Sequence, residues 1–315
     1  MRKFAIWLAT RIGLRTLRWR RLVQREANYL VATFGPGETE AFLRAGLPLD
    51  LENQSRDTFF VLGNGDSANA LTQKDFAAIA GGFSVGLNAW PIHPFVPDAY
   101  AFELFEIADR EKGEFEFLVA LASKKARKGN RALWLLRPRP AEMDRLEELR
   151  ARLPGLAFQV YGRVNVATNS LDELDSELDK SLAFLKHDIS RSEIVIDNGS
   201  SVVRMISLAL LRGFRKIVLV GVDLNDGAYF WYSDGFVHRY GDFRGVCRRQ
   251  PGEGKDTLST DERPFSAFDF IAALDRVAWK NFGAEIFVAS ASSALAKVLK
   301  VYDFSIPAGE ERIKA

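Results

Sequence analysis

The chain is poor in the residues that usually build metal and redox sites. Cys247 is the single cysteine in 315 residues, which excludes an intrachain disulfide framework and a multi-cysteine metal site, and fits a reducing cytoplasm. Three histidines, His93, His187 and His238, are too few for a histidine-rich metal centre. No apolar run is long enough to span a bilayer, and there is no internal repeat or low-complexity tract. Charge is nearly balanced at +2, so nothing global points to nucleic acid as a partner. The three spaced glycines of a dinucleotide fingerprint are missing, so NAD is not implied and no cofactor is expected. What remains, 47% hydrophobic and 27% charged residues, is the composition of a globular chain with enough length for one large α/β domain or two small ones.

Residues 1–25 break the charge balance locally. They carry eight Lys or Arg (Arg2, Lys3, Arg11, Arg15, Arg18, Arg20, Arg21 and Arg25) and no acid. Phe4, Leu8, Ile12, Trp19 and Leu22 fall on one side at helical spacing, with arginines on another. That pattern suits a helix lying on an anionic membrane surface, or one packing on its own domain or a partner subunit. A signal peptide fits less well, since the apolar core is short and no small-residue cleavage site follows. The expected plan is a helical segment over 1–56, a catalytic domain over 57–302 and a tail over 303–315, with a homo-oligomer left open.

From residue 58 the pattern alternates. Strands are expected at Phe59–Leu62, Phe83–Leu87, Ala99–Phe102, Ala132–Leu136, Phe158–Tyr161, Glu193–Ile196, Lys216–Val220 and Glu285–Val288. Helices are expected at Glu114–Lys128, Pro140–Arg152, Leu171–Lys186, Val202–Arg212 and Ser266–Phe282. Strands alternating with helices over this length predict a mostly parallel sheet with helices on both faces. Ligands of such sheets sit beyond the carboxyl ends of the strands.

The first strand runs into Gly63-Asn64-Gly65-Asp66-Ser67. The two glycines let the backbone turn sharply and approach a ligand, and Asp66 or Ser67 can cap the helix that follows. This reads as a phosphate-binding turn or as an ordinary strand-to-helix connection. Three other strand ends carry polar groups that would converge with Asn64: Asn88, Glu103, and the run Asp197-Asn198-Gly199-Ser200-Ser201. After Asp223 comes a long stretch of little periodicity, about 224–263, rich in arginine and aromatic residues including Tyr229, Trp231 and Tyr232. Segments of this kind serve as lids, binding loops or disordered connections.

The text Val61-Leu62-Gly63-Asn64-Gly65-Asp66-Ser67, the strand-end Asn88, and Ser200-Ser201-Val202-Val203-Arg204-Met205 leading through Gly213 to Gly221-Val222-Asp223 resemble the bacterial lipooligosaccharide sialyltransferases of glycosyltransferase family 42. The resemblance covers about residues 58–300 and leaves out the basic amphipathic N-terminal helix. It implies a Rossmann-like α/β domain with a lid, working without a metal. The implied reaction moves sialic acid from CMP-sialic acid to a glycan acceptor, lipid-linked or free, with inversion. It places Gly63, Asn64, Gly65, Ser67, Asn88, Glu103, Ser200, Ser201 and Asp223 around the nucleotide-sugar donor. Tyr229 and Tyr232 stand close to the family's two lid tyrosines, whose direct positions fall at Asn225 and Trp231.

Two departures stand out. The family's histidine base maps near Glu262, and the nearest histidine is His238, so His238 or an acid (Glu262 or Asp261) would take that role. Glu103 stands where the family has an asparagine near the donor sugar. The glycine-asparagine-glycine turn also resembles pterin diphosphokinase-like and flagellin-glycosylation accessory proteins, in which case Asp223 and Glu103 would hold magnesium for ATP. A non-catalytic nucleotide-binding protein on the same fold is the third reading. The transferase reading places the chain in the cytoplasm, peripheral at the inner face of a bacterial membrane.

Overall fold

The computed structural model describes residues 57–103, 133–137, 158–160, 162–166, 168–188, 194–225, 227–244 and 264–305, with single positions at 121 and 151. The basic segment 1–25, the helices expected at 114–128 and 140–152 apart from positions 121 and 151, and the candidate bases Asp261 and Glu262 lie outside the described residues.

Among the described residues eight strands form one sheet in which every ladder is parallel: β1 (Thr58–Leu62), β2 (Phe83–Leu87), β3 (Ala99–Glu103), β4 (Leu133–Arg137), β5 (Phe158–Val160), β8 (Lys216–Val220), β9 (Glu285–Val288) and β10 (Lys300–Val301). A separate parallel pair joins β6 (Gly162–Asn165) to β7 (Ile194–Asp197). Spatial order in the large sheet is β10-β9-β8-β1-β2-β3-β4-β5. The described helices are α1 (Gln73–Gly81), α2 (Leu171–Asp188), α3 (Ser201–Leu211), α4 (Asp234–Tyr240) and α5 (Ala267–Phe282). The expected α/β class, Rossmann-like with a mostly parallel sheet, is the observed one.

The continuous apolar runs of β1 and β8 are explained by burial on both faces. Phe59 and Val61 face one apolar layer with Ile217, Leu219 and residues of α2, α3 and α5, where the Phe59 ring packs 5.0 Å from Phe214. Phe60 and Leu62 face the other, with Val218, Val220, Ile79 of α1 and Trp90. That second layer also takes Phe230, Trp231 and Phe236, all almost fully buried. The described aromatic part of the segment expected as a lid, binding loop or disordered connection packs on the sheet, around a 3-10 turn at Phe230–Tyr232 and the short helix α4. His93 sits in this layer too, its ring stacked 4.5 Å from Trp90 and its Nδ1 accepting from the Phe95 N–H.

Strand order reverses between β1 and β8. The chain runs outward from β1 to β5 on one side, then returns to lay β8 against the other side of β1. The crevice at the carboxyl ends of β1 and β8 is thus the topological switch point of the sheet, where open α/β folds bind ligands.

Candidate functional site

The switch point is built by two turns pressed together. Gly63 N–H donates to Val220 O at 2.7 Å, Gly65 N–H to Gly221 O at 2.8 Å, and Asp66 N–H to Ala228 O at 2.9 Å. A Cβ on Gly63 would lie 2.5 Å from Gly221 O, and one on Gly65 would lie 2.3 Å from Asp223 Oδ2. The glycines are therefore required by the approach of β8's exit, and the amides of Gly63, Gly65 and Asp66 in this turn are taken by the protein's own carbonyls. Asp66 and Ser67 do not cap a following α-helix as expected. They lie in a 3-10 turn (Asp66–Ala70), and α1 begins later, capped reciprocally by Thr72 and Asp75.

Asp223 closes the clasp. Its carboxylate accepts from the Ser67 N–H at 3.1 Å through Oδ2 and from the Ser67 hydroxyl through Oδ1. On the far side, Ser293 Oγ donates to Val222 O at 2.7 Å and the Ala294 N–H to Asp223 O at 2.8 Å. Both carboxylate oxygens of Asp223 thus bind Ser67, so its geometry is that of a brace between β1 and β8. Among the described residues no group of three or more His, Cys, Asp or Glu is arranged to hold a metal ion.

Backbone strain marks the same edge. Asn88, at the end of β2, has φ +48°, and Leu224, directly after Asp223, has φ +47°. Asparagine tolerates the left-handed region, whereas leucine does so at a cost of order 1–3 kcal/mol that the surrounding structure must impose.

Segment 228–230 runs antiparallel to 64–66, through a Gly65–Tyr229 bridge and a 3.0 Å bond from Phe230 N–H to Asn64 O. This holds Tyr229 half-buried beside the turn, its ring stacked 4.6 Å from Trp231. Tyr232 is half-buried at the end of the same turn, and His238 is exposed on α4. Glu103 ends β3 at the carboxyl edge, in register with Arg137 of β4.

The helix α3 brings the remaining groups. It precedes β8, against which it must run antiparallel in a parallel sheet, so its N-terminus lies at the carboxyl edge. Ser200 is its N-cap residue, yet makes no side-chain capping bond. Beneath it lies a buried ion network that was not expected. Asp197, at the end of β7, accepts from Arg204 Nη1 at 2.9 Å, Arg163 Nη1 at 2.6 Å and the Gly199 N–H at 2.7 Å. Arg204 Nη2 also donates to Ser201 Oγ at 2.8 Å, which fixes that serine. Burial pushes the Arg204 guanidinium down to about 9, the direction that desolvation gives a cation, and leaves it charged at neutral pH.

Asn64 Oδ1, both Oδ1 and Nδ2 of Asn198, and Trp231 Nε1 are buried polar atoms with no hydrogen-bond partner among the described residues. Such atoms are rare in native interiors and each calls for an explanation. The sequence names Asn198 only within the strand-end run 197–201 and Trp231 only within the aromatic segment, neither as a group left unpaired. Nothing in a sequence distinguishes an asparagine that closes a turn from one that leaves its amide open.

No family model and no curated protein matches the chain. Solved structures similar to it include the sialyltransferase CstII from Campylobacter jejuni with the substrate analogue CMP-3FNeuAc, at 13% identity and TM-score 0.42, covering 78% of this chain and 86% of that one. The same protein with cytidine-5'-monophosphate matches at 15% identity and TM-score 0.38, covering 78% and 85%. CST-II with a trisaccharide acceptor and CMP matches at 13% identity and TM-score 0.37, covering 81% and 89%. At this distance nothing about the site carries across from them.

Proposed function

We propose that the chain is a sialyltransferase-like glycosyltransferase that moves a sugar from a CMP-activated donor to a glycan acceptor of a surface lipooligosaccharide or polysaccharide. The observation that carries this reading is the set of unpaired polar atoms on Asn64 at the switch point, on Trp231 beside it and on Asn198 just before α3. Asn64 Oδ1 and one atom of the Asn198 amide require donors, while the other amide atom and the Trp231 N–H require acceptors. A nucleotide sugar, with hydroxyls, amides and phosphate oxygens close together, answers all of them. The ordered motifs at 61–67, 88, 200–205 and 213–223 support the same class.

In this mechanism the acceptor hydroxyl attacks the anomeric carbon as the bond to the CMP phosphate breaks, and a base takes the hydroxyl proton. His238 and Glu262 are the candidate bases. Tyr229 and Tyr232, close to the place of the family's lid tyrosines, and the Trp231 N–H would face the charge developing on the phosphate. Gly63, Asn64, Gly65, Ser67, Asn88, Glu103, Ser200, Ser201 and Asp223 line or brace the donor site, with Asp223 and the glycines acting through the clasp.

A thermal-shift panel of CMP, CDP, UDP, GDP and ATP, each with and without magnesium, tests this. A ligand at a hundred times its dissociation constant adds about 2.7 kcal/mol to stability. CMP should raise Tm with or without magnesium. A response confined to ATP or a nucleoside diphosphate with magnesium overturns the reading in favour of a diphosphokinase-like activity.

The basic segment 1–25 would hold the enzyme at the cytoplasmic face of the membrane, near its acceptor. No described helix is long and apolar enough to cross a membrane. Deleting residues 1–25 should abolish binding to anionic vesicles at low salt, and unchanged co-sedimentation would remove the membrane assignment.

A further inference from the structure

We propose that Asn198 is a specificity-determining residue whose carboxamide reads a ligand group offering a donor and an acceptor on neighbouring atoms, such as a vicinal diol or an amide edge. The inference rests on the donor site proposed above but concerns a residue that the motif resemblance does not assign to it. Both polar atoms of the Asn198 side chain are buried, and neither meets a partner among the described residues. Which way the amide is turned is immaterial, since both ends are open.

The surroundings narrow the chemistry. Asn198 stands between Asp197, whose carboxylate is held by Arg163, Arg204 and the Gly199 N–H, and Ser200, which is 9% exposed and caps nothing with its side chain. The backbone on either side is fixed, by β7 before it and α3 after it, so the amide is presented by rigid elements. A lone carboxylate or phosphate group supplies acceptors only and would leave Asn198 Oδ1 facing negative charge. A diol or an amide edge satisfies both atoms at once.

An unpaired buried amide has an unusual signature under substitution. Replacing a structural asparagine removes bonds and lowers stability, whereas replacing one that bonds nothing in the free protein by an apolar residue of similar shape is neutral or stabilising. The full-length N198L and N198A variants should therefore keep Tm at or above that of the wild type. They should bind the ligand about 10- to 100-fold more weakly, the loss of two satisfied bonds.

The experiment measures Tm without ligand, and affinity by calorimetry for CMP and for CMP-N-acetylneuraminate. Equal weakening toward both ligands assigns the group to the nucleotide. Weakening confined to the CMP-sugar assigns it to the sugar. Unchanged affinity for both overturns the proposal, as does a fall of several degrees in Tm in both variants, which would mean that the amide has a partner in the free protein. Should the wild type bind neither ligand, the CMP reading falls on its own, and the Tm comparison still decides whether Asn198 is an open recognition group.

Discussion

Replacing Asp197 by alanine will destabilise the fold by about 3–5 kcal/mol, because it takes the carboxylate away from a buried cation. The side chains of Asp197 and Arg204 are both fully buried, so Arg204 Nη1 loses the acceptor it holds at 2.9 Å in a place water does not reach. Arg163 differs, with its side chain 30% exposed, and can return to water. The R204M variant should cost less than D197A, since Asp197 keeps Arg163 and the Gly199 N–H. The double variant D197L/R204M should lie within about 2 kcal/mol of the wild type, because an apolar pair of similar volume removes both desolvation penalties together. Urea unfolding of D197A, and of the wild type, D197L, R204M and D197L/R204M as a closed cycle, measures these costs. Additive single costs, or a D197A penalty below about 1 kcal/mol, would mean that the network does not bind the end of β7 to α3. R204M has a functional reading as well. It removes the 2.8 Å bond to Ser201, so at the donor site proposed above affinity should fall even where the fold is retained.

What the sequence discloses about this site divides along the type of interaction. The strands Phe83–Leu87, Lys216–Val220 and Glu285–Val288 are legible to the residue, because burial on both faces or alternation leaves a local pattern. The pair β6–β7 is harder. Gly162–Asn165 is short and polar at alternate positions, and its partner lies beyond the whole of α2. The turn Gly63-Asn64-Gly65 is visible as a glycine-rich strand exit, but the reason for its glycines is not. Gly221 and Asp223, more than 150 positions away, fill the space that a ligand was expected to fill.

Arg204 did leave a trace. It is one charge inside Val202-Val203-Arg204-Met205-Ile206, on a helix whose other residues from 203 to 210 are all buried. A lone charge at a core-facing helical position requires a buried partner, and Asp197 at the preceding strand end was the nearest acid. The aromatic segment misled for a similar reason. Tyr229, Phe230, Trp231 and Tyr232 read as a surface that would close over a ligand, whereas Phe230 and Trp231 complete the layer above Phe60 and Leu62. Tyr229 remains half-buried at the crevice.

The clasp at the switch point makes a prediction in which two neighbouring glycines behave differently. In the wild type, G63A and G65A should each cost about 1–3 kcal/mol by overpacking, since the added Cβ meets atoms at 2.5 and 2.3 Å respectively. The obstacles are not alike. The Gly65 Cβ would meet the Asp223 carboxylate, at 2.3 and 2.7 Å, with the Gly221 carbonyl oxygen farther off at 2.9 Å. The Gly63 Cβ would meet the Gly221 oxygen at 2.5 Å and Val222 Cγ2 at 2.9 Å, neither of which belongs to Asp223. D223A alone removes two bonds to Ser67, a charge-assisted pair of about 1.5–3 kcal/mol. In the D223A background the additional cost of G65A should fall by about half, while that of G63A should stay as it was. Chemical denaturation of the six proteins measures both couplings. Equal relief of the two glycine variants, or none for G65A, would show that Asp223 does not sit against the Gly65 backbone, and the close-packed brace between β1 and β8 would fall with it. If the brace is as described, D223A should weaken donor binding through the position of Asn64 rather than through any contact of its own. The donor affinity of D223N, which keeps the side-chain shape and one acceptor for Ser67, should then lie between those of D223A and the wild type.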